Sequence, residues 1–128
     1  MNKQIYKVWN PTPPDEDFED NYEIHEFNDE FVNLKRIKEL IGNDCRLAQG
    51  LPGTDYTMWC DEESKLKQGY ENQGNPGATQ EWQDAAAHYM GWQWLHDHYG
   101  GFIWNHDFAV GKVVQVIEGK WEDDEEDS

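Results

Sequence analysis

The excess of carboxylate side chains is the feature that most constrains this chain. Its 128 residues include 27 Asp and Glu against 10 Lys and Arg, a formal net charge of -17 at pH 7. Because charged carboxylates are costly to bury, the core must come from the 37% of residues that are apolar. Seven Trp, six Tyr and five Phe supply much of that volume. We therefore expect one compact domain with an aromatic core and an acidic surface.

The same charge limits the partners that the chain can bind. It repels phosphate backbones and anionic lipids, so direct binding to nucleic acid or to a membrane is not expected. No apolar run approaches the roughly 20 residues of a membrane-spanning helix, and the first residues lack the pattern of a signal peptide. Cys45 and Cys60 lack the spacing of a redox motif or a zinc site and are expected to be buried thiols. These features predict a cytoplasmic protein without a cofactor.

Strand-like segments make up most of the regular pattern. They are rich in β-branched and aromatic residues, and alternation of side-chain type marks residues 22–27 as ordered. The two segments around Pro52 and Gly53 are expected to form a hairpin. The predicted strands span residues 4–9, 46–51, 56–60, 102–104 and 108–117.

Two helices are predicted among these strands. The first begins at Asn28 or Asp29 and ends before Gly42, and the second spans residues 79–99 and ends before Gly100. This irregular order favours an α+β fold, in which a mostly antiparallel sheet is covered by two helices. We assign residues 1–118 to this single domain and residues 119–128 to an acidic, disordered tail.

Three short segments carry a resemblance to a known family. They are YTMWCDEESKL at residues 56–66, NPGAT at residues 75–79 and DFAVGKVV at residues 107–114. In this order they resemble domain of unknown function 3846, a family of small phage and mobile-element proteins, over about residues 45–79 and 102–117. The chain departs from the family pattern at Asp61, where an Asn is expected, and at Ser64, which replaces a Gly. The resemblance implies a phage or plasmid accessory protein and carries no catalytic mechanism.

Clustered carboxylates are the main candidates for a binding surface. Acidic runs usually serve solubility. The alternative is that folded carboxylates imitate DNA, which presents one charge per roughly 1.7 Å of axis, and so occupy the basic groove of a host protein. The hypothesis is therefore a non-enzymatic protein that inhibits a basic nucleic-acid-binding or defence protein. The candidate partner-binding residues are Asp15, Glu16, Asp17, Glu19, Asp20, Glu23, Glu26, Asp61, Glu62, Glu63 and the aromatic anchor Trp94.

A small-ligand site is the alternative function. Trp59 could stack on a nucleotide base, while Asn75 and Thr79 lie near the start of the second predicted helix, whose N-terminus attracts anions. Such a site would sequester a nucleotide without chemistry. The net charge of -17 opposes anionic ligands.

Metal binding and catalysis have weaker sequence signals. His96 and His98 point about 200° apart on a helix and cannot share a metal there. His96 lies on the apolar stripe with Tyr89 and Tyr99, which predicts a core histidine. Neither a phosphate loop nor a Ser-His-Asp order is present, so no enzyme activity and no metal site are predicted.

Two residues fall off the main apolar face of the second predicted helix. Trp94 and Met90 either pack against a long Gly-rich loop predicted at residues 61–77 or form an exposed patch that a second copy of the chain would cover. The second alternative predicts a homodimer.

Overall fold

A single antiparallel sheet organises the chain. The computed structural model describes residues 3–12, 16–17, 21–28, 31–42, 45–66, 74–105 and 107–121. Within these ranges five strands form a sheet of order β2-β1-β5-β4-β3, and each neighbouring pair is antiparallel. The strands are β1 Gln4–Trp9, β2 Tyr22–Phe27, β3 Ala48–Gly50, β4 Met58–Asp61 and β5 Val113–Glu118.

Most of the predicted strands are confirmed, with shorter extents in the second half of the chain. Strand β1 has its predicted bounds, and the predicted hairpin is the antiparallel pair β3 and β4. The final strand begins only at Val113, because Val110 forms an isolated bridge with Gly74 before it. The strand predicted at residues 102–104 is wrong, since Ile103–Asn105 is a 3-10 turn.

The first helix, α1 Leu34–Ile41, starts later than predicted. Val32 pairs with Trp121 in a parallel bridge, so the chain is still extended there. Asn33 caps the helix instead, and its side-chain oxygen accepts a hydrogen bond from the Arg36 N–H at 2.9 Å. The predicted end is confirmed, because Gly42 has φ +69° and its N–H donates to the Lys38 carbonyl at 3.0 Å.

The second predicted helix is two helices, α2 Pro76–Met90 and α3 Trp92–Tyr99. Gly91 separates them with φ +88° and ψ +161°, a conformation that is open to glycine and costly for other residues. The change of direction breaks the predicted apolar face. Trp82 is buried, but Trp92, ten residues later, is 59% exposed.

Helices cover both faces of the sheet. On one face α1 packs over a cluster of buried residues formed by Tyr6, Val8, Val32, Ile37, Ile41, Trp59 and Val114. On the other face α2 and α3 pack against the sheet. The buried cluster between them includes Trp9, Met58, Cys60, Trp82, Ala86, Leu95, Ile103 and Val113. The α+β prediction is confirmed, with three helices in the described ranges instead of two.

Ordered structure continues past the predicted domain end at residue 118. The Val32 N–H donates to the Lys120 carbonyl at 2.9 Å, and the Trp121 ring lies 5.5 Å from the Trp59 ring. The remainder of the predicted tail, residues 122–128, lies outside the described residues. None of the helices in the described ranges is long and apolar enough to cross a membrane.

Candidate functional site

The strand directions bring two acidic clusters to one end of the sheet. Strand β1 ends at Trp9, where it pairs with Tyr22 at the start of β2 and with Val113 at the start of β5. Strand β4 is antiparallel to β5, so its last residue, Asp61, lies at the same end. The connection from β1 to β2 and the segment after β4 therefore leave the sheet at the same end. We call this the acidic end.

The order of the strands gives the spacing of the two strands next to these clusters. Strands β2 and β4 are three positions apart in the sheet. Neighbouring strands lie about 4.8 Å apart, so β2 and β4 are separated by about 14 Å across the sheet.

The cluster on the β2 side presents its described carboxylates to solvent. Glu16 and Asp17 are exposed in the connection from β1 to β2. Glu23 is also exposed, and its carboxylate accepts a hydrogen bond from the Asn10 side chain at 3.3 Å. The other predicted members, Asp15, Glu19 and Asp20, lie outside the described residues.

The cluster on the β4 side is partly engaged inside the protein. Asp61 is only 6% exposed, and its carboxylate accepts a hydrogen bond from the Glu63 N–H at 2.9 Å. Glu63 receives two hydrogen bonds from the Arg46 guanidinium, at 2.7 and 3.0 Å, and this partner raises the pKa of Arg46. Glu62 is exposed, so it is the member of this cluster best placed to meet a partner.

Glu26 lies away from these carboxylates, although the sequence groups it with Glu23. It pairs with Ile5 in the sheet register, and Glu118 pairs with Ile5 from the other side. Glu26 also forms an ion pair with Lys3 at 3.3 Å. Both carboxylates therefore lie at the opposite end of the sheet from the acidic end.

Trp94 is a packing residue in this structure. Its ring stacks on the His98 ring at 4.2 Å and lies so close to Gly53 that a Cβ atom there would be 2.9 Å from it. Trp94 therefore packs, but on the turn between β3 and β4 and not on the predicted Gly-rich loop. Met90, in contrast, is 48% exposed.

The three residues of the alternative ligand site are buried, and the sheet separates Trp59 from Asn75 and Thr79. Trp59 packs on the α1 side, where its indole N–H donates to the Tyr56 carbonyl at 2.9 Å. Asn75 caps α2 on the other side, accepting from the Ala78 N–H and donating to the Trp9 and Gly111 carbonyls at 3.0 and 2.8 Å. The structure does not bring the three side chains to one cavity.

Thr79 has a structural role beside Asn75. Its hydroxyl donates to the Asn75 carbonyl and accepts from the Ala109 N–H, both at 2.9 Å. Helix α2 thus begins at Pro76, ahead of the predicted cap at Thr79. These bonds tie the helix start to the segment before β5.

The histidines of α2 and α3 lie at the surface. The side chain of His96 is 75% exposed, so the prediction of a core histidine is wrong, because α3 after the break at Gly91 buries Leu95 instead. Among the described residues, no group of three His, Cys, Asp or Glu side chains is arranged to hold a metal ion. His106 is outside those residues.

A cavity of about 140 Å³ lies beside the acidic end, where β3 and β4 meet the segment before β5. At this cavity the Lys65 ammonium forms an ion pair with the Asp107 carboxylate and lies 4.5 Å from the centre of the Phe108 ring. Its lining consists of Gln49, Leu51, Pro52, Cys60, Asp61, Glu62, Ser64, Lys65, Trp82, Asp107, Phe108, Ala109 and Val110.

Sequence analysis did not select Lys65 or Phe108 as binding residues. They are far apart along the chain, and no local pattern joins them. The one available signal was that both lie in the segments that carry the family resemblance, beside Glu62 and Asp107 respectively.

The Cys60 thiol forms a buried wall of this cavity. Burial, followed by the nearby charge of Asp61, raises the pKa of Cys60 from 9.0 to about 12. The thiol is therefore protonated at neutral pH, and a protonated thiol is a poor nucleophile. Cys60 is thus a buried free thiol as predicted, whereas the same prediction for Cys45 is wrong, because Cys45 is only half-buried.

The three segments of the family resemblance contact one another. Lys65 of the first segment pairs with Asp107 of the third, and the Asn75 N–H of the second donates to the Ala109 carbonyl at 2.9 Å. The resemblance to domain of unknown function 3846 thus covers a continuous part of the fold, and it stays a prediction. Comparison with protein-family models, curated proteins and solved structures finds no match to this chain.

Proposed function

We propose that this chain is a non-enzymatic accessory protein of a phage or plasmid that binds and inhibits a basic host protein in the bacterial cytoplasm. The observation that carries the proposal is the arrangement at the acidic end. Glu16, Asp17 and Glu23 on one side and Glu62 on the other leave the same end of one sheet. Strand pairing sets the position of Glu23 and of the strand ends from which the segments carrying the other three carboxylates leave the sheet.

The spacing of the two clusters supports imitation of DNA. The strands beside the two clusters, β2 and β4, lie about 14 Å apart, which is close to the roughly 12 Å width of the major groove. A host protein that binds DNA presents basic side chains at a matching separation. The target class is therefore a nucleic-acid-binding protein, including the nucleases of host defence.

Long-range attraction would assist the encounter. A net charge of -17 steers a basic partner toward the protein and raises the rate of association at low salt. Binding should weaken as salt increases, because screening shortens the range of this attraction to about 8 Å at physiological ionic strength.

The test is capture of bacterial proteins on the immobilised chain, followed by elution with a salt gradient starting near 50 mM. We expect basic DNA-binding proteins to elute during the gradient and to be displaced earlier by duplex DNA. A column of polyglutamate is the control for simple ion exchange, because it offers charge without fixed positions. The proposal fails if both columns capture the same proteins, or if duplex DNA displaces none of those held by this chain.

A further inference from the structure

Three exposed aromatic rings contact one another beside α3. The Phe102 and Trp104 rings stack at 5.0 Å with 21° between their planes, and the Trp92 ring meets the Phe102 ring edge-on at 6.5 Å. Trp92 is 59% exposed, Phe102 45% and Trp104 50%. We call these three residues the aromatic patch. Contacts between the rings hold them together, yet about half of each ring surface stays in water.

The segment that carries the aromatic patch is nearly uncharged. Residues 85–105 contain a single carboxylate, Asp97, and neither Lys nor Arg, although the whole chain has 27 Asp and Glu in 128 residues. The Asp97 carboxylate accepts a hydrogen bond from the Gln93 side chain at 3.0 Å. An apolar surface has therefore been kept free of the acidity that marks the rest of the chain.

The distribution of charge selects the occupant of this patch. A basic partner gains most from the carboxylates of the acidic end, whereas residues 85–105 offer it only one. Nucleic acid and anionic lipid are repelled by the net charge of -17. A second copy carries the same charge, so two copies meet with the least repulsion where carboxylates are fewest. Aromatic rings also suit a symmetric contact, because the same rings can pack from both sides.

The exposed apolar area is sufficient for a weak dimer. A buried aromatic side chain covers about 150–250 Å², so the three half-exposed rings present on the order of 300 Å². Tyr89 and Met90 are 46% and 48% exposed. Because they precede Trp92 by at most three residues, their Cα atoms lie within about 11 Å of its Cα atom. With these two side chains, two copies would bury about 1,000 Å² in total, which is the lower limit for a specific interface.

We propose that the aromatic patch is the interface of a symmetric homodimer, in which two copies of the chain bury Trp92, Phe102 and Trp104 against each other. The inference does not depend on the proposed function. It moves the homodimer face from the one predicted by the sequence, because Trp94 packs on the turn at Gly53. The contact uses none of the carboxylates of the acidic end, so each copy keeps its own.

The first test measures the mass of the full chain by analytical ultracentrifugation between about 10 μM and 1 mM protein. We expect a reversible equilibrium between monomer and dimer, with a dissociation constant on the order of 0.1 mM near physiological ionic strength, because the interface is small. A chain that stays monomeric over the whole range overturns the inference, as does assembly beyond a dimer.

The salt dependence separates this contact from an electrostatic one. Salt shortens the range of the repulsion between two chains to about 3 Å at 1 M. We therefore expect the dimer to become about tenfold tighter between about 0.1 M and 1 M NaCl, whereas a complex with a basic partner should weaken over the same range. A dimer that dissociates as salt increases would be held by charge, and the inference would be wrong.

Substitutions that leave the net charge unchanged test the residues of the patch. Phe102→Gln replaces a ring of the patch by a polar side chain, and we expect the dissociation constant of the dimer to rise at least about tenfold. Trp92→Gln should have the same effect and replaces Phe102→Gln if circular dichroism shows that variant to be unfolded. Tyr56→Gln is the control, because Tyr56 is 67% exposed and its ring contacts Trp59 on the α1 side of the sheet. Equal effects of Phe102→Gln and Tyr56→Gln would contradict the inference.

Binding of a captured basic partner distinguishes the two occupants of the patch. It is measured at about 1 μM of the chain, where the dimer is dissociated. Phe102→Gln should then leave the affinity for the partner unchanged. If it weakens that complex while the chain itself is monomeric at every concentration, the patch belongs to the partner interface and the homodimer is excluded. Failure to capture any partner would contradict the proposed function and leave the test of the dimer intact.

Discussion

The two ends of the sheet carry the same type of residue in different surroundings. At the acidic end, Arg46 and Lys65 each bind one carboxylate, the Glu23 carboxylate lies 3.4 Å from the His25 Nε2 atom, and Glu62 is exposed. At the opposite end, Glu26 is paired with Lys3. The number of carboxylates does not by itself define a binding surface. Their position relative to strand ends and to neighbouring cations does.

The ends also differ in how they are held together. Hydrogen bonds of the Asn75 side chain join β1, the start of α2 and Gly111 at the acidic end. Close packing holds the opposite end, where a Cβ atom at Gly119 would lie 2.5 Å from the Val32 side chain. The following predictions test this contrast, from the largest expected effect to the smallest.

The buried thiol beside the acidic end gives the largest expected effect. Because the pKa of Cys60 rises from 9.0 to about 12, its thiolate fraction near pH 8 should fall about a thousandfold. We expect alkylation of Cys60 to be at least about a hundredfold slower than alkylation of the half-buried Cys45, as followed by mass spectrometry. A Cys45→Ser variant isolates the slow reaction. Comparable rates at the two thiols would show that the interior next to the acidic end is open to solvent.

The same shift has a defined effect on stability at high pH. The folded protein keeps Cys60 protonated above pH 9, whereas the unfolded chain loses that proton. The contribution of Cys60 is therefore complete below pH 9 and is lost as pH rises from 9 toward 12.

Removing the polar network should strongly destabilise the acidic end. Asn75→Ala removes the cap of α2 and leaves the Trp9 and Gly111 carbonyls without the donor that they share. Asn75 is only 1% exposed, so the lost hydrogen bonds are buried. We expect the free energy of unfolding to fall by about 3 kcal/mol, measured by urea denaturation. Asn33→Ala is the control, because Asn33 caps α1 in a half-buried position and should cost about 1 kcal/mol. Equal losses would contradict a special role for Asn75.

A Gly→Ala substitution should lower the free energy of unfolding more at the opposite end than at the acidic end. Gly119→Ala places a Cβ against Val32 at φ +147°, and we expect a loss of about 2 kcal/mol in the free energy of unfolding. Gly111→Ala, beside the acidic end, has φ +75° and no neighbour within 4 Å of the added atom. Only backbone strain of about 1 kcal/mol is expected there. If Gly111→Ala proved the more costly change, tight packing would not distinguish the opposite end.

Neutralising carboxylates should have the smallest effect, and it should appear in partner affinity. Glu23→Gln with Glu62→Gln removes two charges from the acidic end and should weaken binding of a captured partner about tenfold at low salt. Glu26→Gln with Glu118→Gln makes the same change at the opposite end, with less than about a twofold effect. Calorimetric titration at two salt concentrations measures both. Equal effects would mean that net charge, and not position, governs binding.

Local patterns in the sequence were sufficient where one signal dominated. The bounds of β1 and the end of α1 at Gly42 were predicted, because β-branched and aromatic residues favour an extended chain and glycine favours a positive φ. The start of α1 was not, because Val32 is held in an extended bridge by Trp121 from the far end of the chain. A helix propensity at residues 31–33 could not compete with that contact.

The break at Gly91 shows how one residue changes a predicted surface. The sequence gives residues 79–99 one helical period, and a single glycine within such a pattern is usually tolerated. Here the glycine changes the direction of the chain, so Trp92 and His96 become exposed and Leu95 is buried instead. The predicted helix face is therefore buried only in part, because Trp82 and Ala86 are buried whereas Tyr89 and Trp92, on either side of Gly91, are exposed.

The acidity, the aromatic core and the α+β class could be predicted from the sequence, because these depend on composition and on local periodicity. Which charges lie close together depends instead on the pairing of strands that are distant along the chain. Glu23 and Glu26 are close in sequence, but an extended strand advances about 3.3 Å per residue and carries them toward opposite ends of the sheet. Lys65 and Asp107 are 42 residues apart, yet they form an ion pair because antiparallel pairing brings the end of β4 beside the start of β5.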